Sequence, residues 1–220
     1  MRAHLEYKVG PIYSEEETLM KKLIVLMSVL FTANLGQVFA QTQDCTVGHI
    51  GPGGGYIFFC DDVNNKKLPL GKVGLEAAQS DQPILLQWGK YIVTPVSIND
   101  VGGGLLNTRA NIISQGAGLY ASLSCYMLNN TNDRSRDFDA DWFLPAPAEV
   151  QLMYTNLKAA NPSLGGFTED QYWTSSDADS ELEFYCNFNK GSHHPSHAGS
   201  VWSFDGDKQS LKPVRCVRAF

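Results

Sequence analysis

Histidine, carboxylate and cysteine clusters are where this 220-residue chain could do chemistry. His193-His194-Pro195-Ser196-His197 places three histidines within five residues. Neutral imidazoles at that density can hold a transition metal. Proline and serine dominate their surroundings, and no carboxylate or cysteine ligand is evident nearby, so the segment reads instead as a polar loop tip. Asp177 with Asp179, and Glu181 with Glu183, form two carboxylate pairs at i, i+2. General acid–base work needs burial to drive such pKa values apart. On a strand this spacing puts both groups on one face, here expected to be the solvent face. Asp133, Asp137, Asp139 and Asp141 are enough carboxylates for calcium, but Arg134 and Arg136 interrupt them, and the loop glycine and closing glutamate are missing. Neither Gly-x-Ser-x-Gly nor His-Glu-x-x-His occurs. Gly51-Pro52-Gly53-Gly54-Gly55 lacks the Gly-Lys-Ser/Thr ending of a phosphate loop. The chain is therefore expected to have no catalytic residues, no metal and no cofactor. Trp142, Trp173 and Trp202 could stack sugars; Trp142 and Trp173 read better as core anchors, since large aromatics are mostly buried. Trp202, beside the histidine loop, stays open between core and surface.

The elements that must position these residues begin after an export signal. Met20-Lys21-Lys22, the apolar run Leu23–Phe31 and the small-residue site ending at Ala40 have the order of a signal peptide over 20–40. The apolar run is too short to span a membrane. Residues 1–19 are polar, with Glu15, Glu16 and Glu17 in a row, and suit neither a signal nor a core. Met20 is expected to be the true start, or the extension to leave with the signal. The remaining 41–220 is one domain by length, large enough to bury a core. The signal and extension carry as many basic as acidic residues, so the formal net charge stays at −6. That acidity argues against a nucleic-acid partner. A local basic patch from Lys190, Lys208, Lys212, Arg215 and Arg218 is compatible with it.

All five cysteines, Cys45, Cys60, Cys125, Cys186 and Cys216, follow the signal, where disulfides are expected and one thiol must be left over. Cys45 and Cys60 flank the glycine turn and could close an N-terminal hairpin; spacing alone does not decide it. Tyr56–Cys60 reads as a buried strand. Residues 71–105 read as loops and short strands, with Gly102-Gly103-Gly104 as a joint. Asn107 can cap a helix to about Leu128, whose firm part is 117–128 because Gly116 and Gly118 weaken the first half. Ala117, Tyr120, Ala121, Ser124, Cys125 and Leu128 fall on its inward face. Pro147 at N1 and Val150, Met153, Tyr154 and Leu157 predict a second helix over 147–160. Strand-like pieces follow at Gln171–Ser176, Leu182–Phe188, Ser200–Phe204 and Pro213–Ala219. The order is α+β rather than alternating βαβ.

Asp141-Trp142-Phe143-Leu144-Pro145 with Glu149-Val150, Leu152-Met153-Tyr154-x-Asn156-Leu157, Tyr172-Trp173-Thr174-Ser175-Ser176, Asn187-Phe188-Asn189-x-Gly191 and Val214-Arg215-Cys216-Val217-Arg218-Ala219-Phe220 form a spaced set. Over roughly Cys45–Phe220 this set resembles the C-terminal domain of the Legionella collagen-like adhesin. The broader group is the C-type-lectin-like fold, in the branch holding formylglycine-generating enzymes. The resemblance implies two helices on short, mostly antiparallel sheets with many loops, in an exported bacterial protein. It also implies a disulfide from a helix cysteine to the last strand, which here is Cys125–Cys216, with Cys186 left as the odd thiol. The collagen-like stalk is absent, the chain is acidic, the calcium-and-sugar motifs of C-type lectins are missing, and the catalytic cysteine pair of the enzymes has no match.

The leading expectation is a non-enzymatic binding module, secreted, periplasmic or on the cell surface. It would recognise a glycan or protein ligand on an extracellular surface and would have no membrane span; homo-oligomerisation is left open. Its ligand surface is expected in loops of 177–212, at Tyr185, Asn187, Asn189, His193, His194, Trp202 and Asp205, since rigid scaffolds usually carry function on loops. The same fold with a similar C-terminal ending is used by retroelement-diversified binding proteins, which is one alternative. A metal-dependent enzyme using the 193–197 histidines is the other.

Overall fold

The computed structural model describes residues 44–62, 64–69, 71–128, 142–188 and 202–220, with the backbone alone for 202–205. The signal-like segment, the 133–141 aspartates, Asn189 and the histidines at 193–197 lie outside the described residues.

The described residues form an α+β domain with two antiparallel sheets. The first has strand order β1-β2-β7-β3, from β1 (Tyr56–Cys60), β2 (Gly74–Ala77), β7 (Val217–Ala219) and β3 (Trp142–Phe143). Its pairing of β2 with β7 brings the early chain against the C-terminus. The glycine run before β1 is a turn wrapped around one buried carboxylate. The Gly53 and Gly55 N–H groups donate to Glu76 at 2.8 and 2.9 Å. A Cβ on Gly53 would come within 2.5 Å of Glu76 Oε1, so this approach needs glycine.

The second sheet is a meander of β4 (Gln171–Asp177), β5 (Leu182–Asn187) and β6 (Trp202–Asp207). Alternation along these strands feeds two apolar clusters. Tyr172, Cys186 and Phe188 join Phe58, Leu75, Val150, Met153 and Val217 in one. Trp173 joins Leu86, Trp88, Leu144, Cys125 and Cys216 in the other, with Trp142 and Tyr185 packed at its margin. Two indoles strap the segment around Leu86 to β4: Trp88 Nε1–H donates to the Thr174 carbonyl, and Trp173 Nε1–H to the Leu86 carbonyl.

The predicted 107–128 helix is two helices, α1 (Gly104–Gln115) and α2 (Ala121–Tyr126), and the longer one lies in the half expected to be weaker. Gly116 ends α1 with φ +70°, a conformation other residues resist. Asn107 is no cap. It is buried inside α1, bonding both the N–H and the carbonyl of Ile98 and the hydroxyls of Ser175 and Ser176. Thr108, Asn111 and Gln115 are buried on the same face, while Leu106 and Ile113 point outward. Apolar periodicity could not reveal α1, because its inner face is polar and serves backbone groups of β4 and its neighbours. α3 (Pro147–Met153) starts at the predicted proline and continues as a π-helical turn over Tyr154–Ala159.

Cys45–Cys60 and Cys125–Cys216 are the two disulfides, and Cys186 is a buried free thiol. Burial pushes its pKa well up, so it is a poor nucleophile at neutral pH.

Candidate functional site

The expected binding residues divide into three groups. Tyr185 and Asn187 are half-buried neighbours on one face of β5. Trp202 and Asp205 belong to β6, with Trp202 opposite Cys186 in the register. Asn189, His193 and His194 lie outside the described residues. The face carrying Tyr185 and Asn187 also carries Gln171, which pairs with Asn187 across the strands, and Trp173, which pairs with Tyr185. Lys212 completes it: its Nζ donates to Gln171 Oε1 at 2.6 Å and sits 4.7 Å from the Tyr185 ring and 4.9 Å from the Trp173 ring. A lysine held over two aromatic faces fixes both rings as well as its own charge. Trp173 is fully buried, whereas Gln171, Tyr185, Asn187 and Lys212 are half-buried, so one aromatic ring, two amides and an ammonium share a partly exposed patch on the sheet. Gln171 and Lys212 join the expected Tyr185 and Asn187 on this face; the i, i+2 relation of Gln171 to Trp173 is the sequence signal for the first.

Of the residues proposed for a basic patch, Lys190 lies outside the described residues, and the described ones do not form a solvent-facing patch. Arg215 is buried, donating from Nε to Asp81 Oδ1 at 2.7 Å and from Nη1 to the Ala78 and Gly165 carbonyls, with the guanidinium 4.1 Å from the Phe167 ring centre. Asp81 also accepts from the Tyr172 hydroxyl at 2.8 Å, and burial is the main reason that phenol's pKa is raised. Arg218 pairs with the buried Glu76. Lys208 is fully buried.

Lys208 leads to a second correction. Asp177 and Glu183, expected to face solvent, are buried with it: their side chains are 4% and 0% exposed, and that of Lys208 is 0%. The meander builds this cluster from three strand ends. Asp177 closes β4, Glu183 stands opposite it on β5, and Lys208 follows β6 directly. Lys208 Nζ donates to Asp177 Oδ1 at 2.7 Å and to the Ile92 carbonyl at 2.6 Å, and also to the Asp179 carbonyl. The Trp88 ring covers it, its centre 4.7 Å from Nζ. Thr94 N–H holds the other Asp177 oxygen, and Ser97 bonds the Asp177 backbone. Glu183 is 3.4 Å from Lys208 Nζ, yet neither of its carboxyl oxygens has a hydrogen-bond partner among the described residues. Burial, reinforced by the neighbouring Asp177, pushes its pKa up to about 11, so it is an acid at neutral pH. As an acid it can donate a proton to Asp177. Alternation alone hid this, because β4 is buried on both faces.

A further buried carboxylate, Glu149, accepts N–H bonds from Ala146 and Gly102 and ties the start of α3 to the start of α1. Burial raises its pKa to about 7 against those bonds. Among the described residues no group of three or more His, Cys, Asp or Glu is placed to hold a metal ion, and no helix is long and apolar enough to cross a membrane.

No family model matches the chain. No curated protein matches it either. Among solved structures, a fimbrial protein from Bacteroides ovatus is similar to it at 11% identity and a TM-score of 0.39, over 88% of this chain and 41% of that one. The chain therefore spans less than half the length of that protein.

Proposed function

We propose that the domain is an exported, non-enzymatic binding module of C-type-lectin-like architecture, taking a glycan or protein ligand on an extracellular surface. The observation that carries this reading is the half-buried patch of Gln171, Tyr185, Asn187 and Lys212 on β4, β5 and the segment after β6, with the fully buried Trp173 beneath Lys212. An aromatic ring edged by two side-chain amides and an ammonium offers stacking and directed hydrogen bonds together, the usual means of gripping a polar ligand with an apolar face. Two antiparallel sheets, three helices beside them rather than the expected two, and a disulfide from α2 to the segment before β7 support the architecture. Two disulfides support an oxidising compartment. The test is a glycan and matrix-protein array probed with the exported chain, beside Tyr185→Ala and Asn187→Ala. A ligand bound by the native protein and lost in both variants is expected. Binding untouched by both would move the site elsewhere.

A further inference from the structure

The geometry points to a self-made covalent cross-link: an amide between Lys208 Nζ and Asp177 Cγ, formed inside the folded domain with Glu183 as the catalytic acid–base. Three observations converge on it. Lys208 Nζ lies 2.7 Å from Asp177 Oδ1, so the nucleophile already touches the carboxyl group it would attack. All three side chains are buried, and Trp88 lies over the amine. A plain ion pair needs only one carboxylate, yet a second carboxyl, Glu183, is buried beside the pair with no hydrogen-bond partner among the described residues.

The first step runs along the 2.7 Å contact between Lys208 Nζ and Asp177 Oδ1. A proton passes from the Lys208 ammonium to the Asp177 carboxylate. The Nζ lone pair then attacks Cγ, and the C–N bond forms. Glu183 gives its proton to the departing Asp177 hydroxyl and takes the surplus proton from Nζ. The C–O bond breaks and one water leaves. Nothing is oxidised or reduced, and Glu183 ends as the acid it began. Amide formation from a free acid and amine is unfavourable in water. Fixed contact can offset this, since well-oriented intramolecular reactions reach effective concentrations of about 10⁵–10⁸ M. The product would join the end of β4 to the residue after β6, clasping the three-stranded sheet that bears the proposed ligand face.

The test is the intact mass of the full folded chain, followed by peptide mapping. The expected mass falls short of the sequence by one water, beyond the hydrogens lost to the two disulfides. The expected digest contains one branched peptide joining positions 177 and 208. Lys208→Arg sets the uncrosslinked mass. Glu183→Gln, which keeps a neutral group of the same shape, should fold and retain the water. A native protein of full mass, with the Lys208 amine open to acylation after unfolding, would show an ion pair only and overturn the proposal. Equal cross-linking in Glu183→Gln would remove Glu183 from the chemistry.

Discussion

Two buried cations sit at opposite ends of β4 and are treated differently. Arg215, near the Tyr172 end, has one carboxylate partner, Asp81, three backbone carbonyls and an aromatic face. The second group on Asp81 is the Tyr172 hydroxyl, a donor that steadies the carboxylate. Lys208, at the Asp177 end, likewise has a carboxylate and an aromatic face, with two backbone carbonyls. Its additional neighbour is a carboxylic acid, Glu183. A guanidinium keeps its proton in any protein environment and cannot act as a nucleophile. An amine beside two carboxyl groups can. The first cluster is a structural tie, and the second has every group that an amide-forming site requires.

The largest expected effect breaks the structural tie. Asp81→Ala strands a buried guanidinium and should cost about 3–5 kcal/mol in urea unfolding. A loss below about 1 kcal/mol would mean that the Arg215 cluster is not the anchor described.

Arg215→Lys sharpens the contrast. It restores a cation beside Asp81 but loses the planar fork serving several acceptors, and should cost about 2 kcal/mol. No acid stands by, so the variant should show no further loss of water in its mass. A link from position 215 to Asp81 would mean that contact suffices without a proton shuttle.

The pH dependence should separate the clusters next. The folded-state pKa of Glu183 is raised above the ordinary 4.5 to about 11. The folded protein holds a proton there that the unfolded chain releases. This contribution to stability is complete below about pH 4.5 and is lost as pH rises toward 11. Glu149 adds the same sign of slope up to about pH 7. Melting temperature should therefore fall between about pH 7 and pH 10 in the native chain and stay flatter in Glu183→Gln. Parallel curves would show that Glu183 is ionised in the fold.

The smallest effect concerns a third cation, Lys212, half-buried on the proposed ligand face. Lys212→Ala should cost only about 0.5–1 kcal/mol, the scale of an exposed cation–π contact. Ligand binding should fall more than stability does. A loss of several kcal/mol would place Lys212 with the buried pair instead.

Local order made much of the framework legible. The Gly51–Gly55 turn, the strand at Tyr56–Cys60, the start of α3 at Pro147 and the meander strands all follow from turn chemistry and short apolar runs. Tyr172 and Trp173 were readable as core because adjacent large aromatics on a strand need cover on both faces. α1 was misplaced because Asn107, Thr108, Asn111 and Gln115 are its inner face, and a polar inner face carries no hydrophobic period. Of the proposed ligand patch, Tyr185 and Asn187 were readable from their strand, whereas Lys212 reaches it from outside that strand.

By itself, the sequence determined the α+β content, the acidic charge and the glycine, proline and aromatic positions, because each depends on neighbours within a few residues. Only tertiary structure decided which charges are buried. Asp177, Glu183 and Lys208 look like ordinary surface residues in one dimension, yet three strand ends close around them beneath Trp88. Burial is a property of what packs over a residue, and Trp88 comes from far upstream in the chain. The same holds for Arg215, whose position near the C-terminus gave no hint of Asp81. Ionisation and reactivity follow burial, so the chemistry of this protein became visible with its packing.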